Sequence, residues 1–255
     1  MTPTVVYETC GLRIRSAMEL HLPRSDGSAA DVDIELGPVL DDDGPTPPGE
    51  VVAVDEAFDV GWYTVTDTGV DHRLRFRDCA EFVVGPGART VTVRPMPDGR
   101  TELIPILLAG TVLALVLTIR GSTVIHASAV ARAGSAVALI GHAGRGKSTL
   151  AAMLCGAGAD LVTDDVLVVE PSRPPTCVGG AAELRLRESA SAALDLGAGS
   201  LRRTADDRTA WRVERRAVGA QDLGAIVLPV PSRGCETIET RRLPAEEALL
   251  ALLAL

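Results

Sequence analysis

Apolar and polar residues alternate with period two over much of the first hundred residues. In "ADVDIELG" Val32, Ile34 and Leu36 alternate with Asp31, Asp33 and Glu35, and "HRLRFR" and "RTVTVRPM" repeat the rhythm. Successive side chains of a strand point to opposite faces, so this pattern predicts antiparallel β structure with one wet and one buried face. Between these strands "LDDDGPTPPGE", 40 to 50, reads as a proline-rich acidic loop whose aspartates form a solvated turn. The rhythm changes near residue 101. "LIPILLAGTVLALVLTI", 103 to 119, is an uncharged apolar run with Pro105 and Gly110 inside it. It is shorter than the ~20 residues a bilayer span needs and lacks flanking basic clusters, which predicts a fully buried helix and no membrane span.

Further along, the pattern predicts a strand at 123–130, a turn at "RAGS", a strand at 136–140, a glycine-rich loop, a helix at 147–156 and a strand at 161–169. "AAELRLRESASAALDLG" reads as a short strand followed by a helix, and "LGAIVLPVP", 223 to 231, as a further core strand. The last segment, "AEEALLALLAL", starts as an amphipathic helix and becomes apolar all round, so it must dock on something. Two parts follow: a β-rich N-terminal domain over 1–100, with a possible role in substrate recognition, and an α/β core over 101–255.

Composition narrows the function classes. With 255 residues, 46% of them hydrophobic, the chain can bury one large core or two smaller ones. A formal charge of -9 with no basic run argues against nucleic acid, whose phosphates demand a positive footprint, and leaves small molecules or peptides as partners. The arginine pairs 202/203, 215/216 and 241/242 read as solvated surface. Five scattered cysteines with no C-x-x-C pair point away from zinc or a redox couple and toward a reducing cytoplasm. The opening "MTPTVVYETCGLRIRS" lacks the charged-then-apolar pattern of a signal peptide, which fits a cytoplasmic protein.

The chemistry concentrates in "GHAGRGKSTL", 141 to 150, which fits G-x-x-x-x-G-K-[ST]. In such a loop, backbone N–H groups and a helix N-terminus face phosphate oxygens. Gly141, His142, Ala143, Gly144, Arg145 and Gly146 form the cradle, Lys147 places a point charge on the outer phosphates, and Ser148 and Thr149 open the helix. The Ser148 hydroxyl suits a phosphate-bound magnesium ion. Only one of the 25 basic residues is lysine, and it is Lys147. A chain that otherwise uses arginine keeps an ammonium where a planar guanidinium cannot do the same work.

Asp164 and Asp165 interrupt an apolar strand, where adjacent carboxylates are costly unless a charge or a metal pairs them. A helix from Lys147 to about Ala157 runs roughly 16 Å away from the loop. A strand from Asp160 returns about 13 to 17 Å by these two positions, which brings the carboxylates back to the loop. Such a pair supplies a magnesium ligand and a proton acceptor for phosphoryl transfer. Because neighbouring strand residues face opposite ways, one aspartate is expected to dominate. His126, in "TVIHASAV", is either a structural residue bonded to a carbonyl or a donor beside the phosphates. His142 is expected to point outward.

The segment "HASAVARAGSAVALIGHAGRGKSTLAAMLCGAGADLVTDDVLVV", 126 to 169, resembles the catalytic core of HPr kinase/phosphorylase. The likeness rests on a histidine strand, a GK[ST] loop and an aspartate pair only 17 residues after the lysine. It implies a P-loop, HPr kinase-like core of the phosphoenolpyruvate carboxykinase nucleotide-fold type. The opening "YETCGLRIRSAMELHLP", the β-rich first hundred residues and the helix leading into "HASAV" look like the HPr kinase-related proteins of lasso peptide and other ribosomal peptide biosynthesis. Those kinases phosphorylate a precursor peptide, typically on a C-terminal serine. The resemblance implies ATP on Gly141 to Thr149, Mg2+ at Ser148 and Asp165, Asp164 as proton acceptor and His126 by the phosphates. "ELR" at 183–185 is similar to the HPr kinase signature ELRG, which implies Glu183 in the metal shell and Arg185 on transition-state charge, although the following "LRESASAAL" departs from it. The family likeness also implies a homo-oligomer. The expected activity is ATP-dependent serine kinase action on a peptide or small protein. The alternative is a nucleotide-binding switch with weak NTPase activity that acts through a protein partner.

Overall fold

The computed structural model describes residues 4–41, 44, 46–55, 63–180, 183–194, 196, 201–231 and 237–253. Asp42 and Asp43 of the acidic loop and Cys235 lie outside these residues. The period-two segments form strands β1 (Val5–Thr9), β2 (Leu12–Ser16), β3 (Val32–Leu36), β4 (Glu50–Asp55), β5 (Tyr63–Asp67), β6 (His72–Phe76), β7 (Ala80–Val84) and β8 (Thr90–Pro95). They assemble into one sheet in the order β1-β2-β3-β8-β7-β6-β5-β4. The sheet is mixed: β3 runs parallel to both β2 and β8, where local alternation predicted antiparallel pairing throughout. Alternation fixes which face is buried; it carries no information on strand direction.

The apolar run forms a helix over Thr101–Ile119 with a π-helical turn at Leu108–Val112. Ile104, Leu108, Val112, Leu113, Val116 and Leu117 pack into one core with Val32, Leu74, Phe82 and Val93 of the sheet. Its other face is only half-buried, which corrects the expectation of a helix enclosed all round. The helix is long and apolar enough to cross a membrane by length and composition, yet its buried stripe lies on the sheet.

The second half contains β9 (Thr123–Arg132), β10 (Ser135–Ile140), β11 (Asp160–Glu170), β12 (Thr176–Val178) and β16 (Gln221–Val227), closed into a barrel in the order β10-β16-β12-β11-β9. Beside it sits a three-stranded sheet of β13 (Glu183–Leu186), β15 (Thr209–Arg212) and β14 (Leu201–Arg203). The loop helix, Lys147–Gly156, packs Ala151, Ala152 and Cys155 against Leu139, Leu161, Leu184 and Leu186. The crossover from β10 through this helix to β11 skips one position: β9 lies between the two and is antiparallel to both. That intervening strand is what sets His126 beside the aspartates. The strand expected at 223–231 exists at Gln221–Val227; Leu223 packs against the barrel core, but the side chains beyond it are exposed. The C-terminal helix, Ala245–Leu253, keeps Leu249, Leu250 and Leu253 exposed, so the docking its apolar character predicted is not made among the described residues.

A buried ion network pins the first sheet. Glu81 is 0% exposed; its Oε2 accepts from Arg75 at 2.6 Å and its Oε1 from Arg94 at 3.1 Å. Removing one partner of a buried network strands the others without compensation. Glu81→Ala therefore lowers unfolding stability by about 3–5 kcal/mol. Urea denaturation of the pure variant checks this, and a loss under 1 kcal/mol contradicts it.

Candidate active site

The loop that follows β10 turns on Gly141, Gly144 and Gly146, with φ of +133°, +81° and +86°, a region that L side chains rarely adopt. Its tip, His142 to Arg145, is exposed, as expected for His142, and Thr149 lies half-buried in the first helical turn. Lys147 is 7% exposed and folds back, donating from Nζ to the carbonyls of Gly141 at 2.5 Å and His142 at 3.3 Å. Burial pushes its ammonium below the ordinary lysine value, against the pull of Asp164 and Asp165. The helix N-terminus then carries its free N–H groups into the loop.

Asp164 is tied directly to the loop helix. Its Oδ1 accepts from Ser148 Oγ at 2.8 Å and from Ser128 Oγ at 2.6 Å, and its Oδ2 from the backbone N–H of Arg185 at 2.8 Å. Asp165 has its own partners. His126 Nδ1 stands 2.8 Å from Oδ1 and 3.2 Å from the Asp165 carbonyl, and Arg185 Nη2 donates to Oδ2 at 3.0 Å. Burial pushes the Asp165 carboxyl up, but the His126 hydrogen bond and the charge of Arg185 outweigh it and hold the group below the usual aspartate value.

Both carboxylates thus engage Arg185, although neighbouring strand residues ordinarily face opposite ways. The reason is local: Asp165 has φ of +127°, outside the strand region, so the chain kinks and re-aims the second side chain. A non-glycine residue held there is a strained feature of the kind that clusters at functional sites. The geometry also pairs the Ser148 hydroxyl with Asp164, whereas the family resemblance put Asp165 beside Ser148 in the metal shell. Glu183 is engaged elsewhere, its Oε2 accepting from Arg202 at 2.6 Å, and Arg185 also pairs with Asp206 at 3.2 Å.

Several site residues carried no sequence expectation. Ser128 follows His126 by two positions on the same face of β9, a signal that period-two reading could have used. Arg202 belongs to a pair that reads as solvated surface, and Arg187 is not singled out by the sequence. The Arg187 guanidinium comes within 3.4 Å of the point where a Cβ on Gly144 would sit, at the mouth of the loop. Gly110 of the apolar helix faces Asp165: a Cβ there would lie 2.6 Å from Oδ2.

A cavity of about 80 Å³ opens next to the two carboxylates. Its apolar wall is Pro105, Ile106, Ala109 and Leu113 of the helix, and Glu183 and Arg202 close the polar side. The turn between β1 and β2 completes it: Cys10 bonds through its N–H to Gly179 O at 3.0 Å, which docks the N-terminal sheet on the barrel. Burial raises the Cys10 thiol to about 11, so it serves as a packed wall.

The oxygen-only pair of Ser148 and Asp164 fits a hard cation. Among the described residues, no group of three or more His, Cys, Asp or Glu could hold a metal ion by itself. Magnesium does not require one, since it keeps waters and takes phosphate oxygens alongside one or two protein ligands. No protein-family model matches the chain, and no curated protein matches it either.

Proposed function

We propose that this chain is an ATP-dependent kinase that transfers the γ-phosphoryl group to a hydroxyl, with a serine of a small precursor peptide as the acceptor. The carrying observation is the 2.8 Å hydrogen bond from Ser148 to Asp164, which joins the phosphate loop to the aspartate pair. The likeness of residues 126–169 to HPr kinase/phosphorylase, and of the wider chain to its relatives in lasso peptide biosynthesis, supports the acceptor class.

In this reading the loop N–H groups, Lys147 and Arg187 hold the triphosphate. Ser148 and Asp164 hold Mg2+, which would offset charge on the transferring phosphoryl oxygens. Asp165 faces the cavity and accepts the proton of the acceptor hydroxyl; a carboxylate has about four lone-pair sites, so His126 and Arg185 leave room for that hydrogen bond. The roles of the two aspartates are therefore the reverse of those the family resemblance implies. His126 orients Asp165, and Arg185 adds positive charge beside it. Glu183, held by Arg202, lines the acceptor side.

The test is incubation with magnesium and γ-labelled ATP plus an extract of the source cells, separated by mass. Magnesium-dependent label in a small peptide supports the kinase. Label found only in free phosphate, or left in ATP, overturns it in favour of a nucleotide switch.

A further inference from the structure

We infer that the exposed aliphatic strip at the end of β16 is the platform for the base of the bound nucleoside triphosphate. The inference rests on the phosphate-site reading above. β16 is the one barrel strand paired parallel to β10, with Val227 opposite Leu139. Leu228 is thus level with the last residue of β10, and its Cδ1 lies 3.2 Å from the point where a Cβ on Gly141 would sit. The strip continues the phosphate loop without a gap. Ligands of parallel strands gather at these carboxyl ends.

The direction of the triphosphate follows from the flanks of β10. Asp164, Asp165 and His126 all belong to β11 and β9, on one side. A triphosphate whose terminal phosphoryl group meets those carboxylates leads its nucleoside to the other side, which is β16. There Ile226 at the end of β16, and Leu228 and Val230 in the segment that follows it, stay 40%, 37% and 74% exposed. Aliphatic side chains in a row on a strand end are costly in water and suit the flat face of a purine. Arg145 is exposed beside the strip, its Cβ 3.8 Å from the same Gly141 point, within reach to stack on the opposite face of the base.

Calorimetric titration with magnesium-ATP and with magnesium tripolyphosphate tests this, because the second ligand has the phosphates and no base. The wild type binds ATP more tightly than tripolyphosphate. The double variant Leu228→Ser/Val230→Ser weakens ATP roughly tenfold and leaves tripolyphosphate unchanged. Both positions are exposed, so folding is spared. Equal affinity of the wild type for the two ligands, or unchanged ATP affinity in the variant, overturns the platform and leaves the phosphate site standing. If sedimentation shows a dimer that the double variant dissolves and ATP affinity does not respond, the strip is an interface between copies and the inference also falls. A wild type that binds neither ligand defeats the phosphate-site reading itself.

Discussion

Asp165→Asn lowers phosphoryl transfer by about 10³-fold, within the range that a positioned general base contributes, while ATP affinity stays close to wild type. The asparagine keeps size and one acceptor oxygen but offers an amide donor in place of the second. Since His126 and Arg185 approach different oxygens, one of these two donors then faces another donor. The loop is untouched, because Lys147 and Ser148 make their bonds to the loop carbonyls and to Asp164. Lys147→Ala behaves differently and loses nucleotide binding together with transfer. The wild-type pH profile carries the same signature. The Asp165 carboxyl is held below 3.8, so it stays ionised through neutral pH and the acid fall in turnover lies below that value. Stability follows the same sign: the contribution of this depressed group is full above pH 3.8 and is lost as pH falls through its folded-state value. Single-turnover rates on the peptide that takes the label, with ATP affinity measured separately, decide the point. Transfer within threefold of wild type removes Asp165 from the proton-accepting role.

How much of this site was legible in the chain depends on the distance over which each residue acts. The loop and the aspartates were readable because a helix of known rise and a strand of known rise fix the return distance between Lys147 and Asp164. The strand and helix bounds around them lie within two residues of the periodicity reading. The aiming of Asp165 was not readable. Alternation assumes extended φ, and the kink at +127° is held by His126 and Arg185, which come from two other strands. Arg202 looked like surface because its partner Glu183 lies on a strand paired through β15, a non-local arrangement. Strip residues 226 to 230 looked like core for a related reason. Aliphatic composition predicts burial, and a ligand platform has the same composition without it. The mixed first sheet belongs in the same class, since strand direction is set by crossover connections and leaves no trace in a five-residue pattern.

Gly110→Ala lowers turnover by about 10²-fold while the protein stays folded, a separation that follows from where the missing Cβ would go. Within a helix alanine is favoured over glycine by about 1 kcal/mol, so the substitution does not weaken the helix itself. The new Cβ, however, would lie 2.6 Å from Asp165 Oδ2, nearer than the 3.0 Å that such atoms tolerate. Either the helix or the carboxylate must give. The helix is anchored through Leu108, Val112 and Leu113 in the largest core, so the carboxylate is the part that moves, away from Arg185 at 3.0 Å. A displacement near 1 Å at a reacting group costs about 10²-fold in rate. Gly110 lies inside the π-helical turn at Leu108–Val112, a local irregularity of the kind that is frequent at functional sites. Combining Gly110→Ala with Asp165→Asn separates the two routes by which the methyl could act. If it acts by displacing the carboxylate, the pair is strongly non-additive and the alanine adds less than threefold to the loss already caused by Asp165→Asn. If it acts by narrowing the cavity, the losses multiply and appear in the acceptor KM, and the coupling of Gly110 to Asp165 is then disproved.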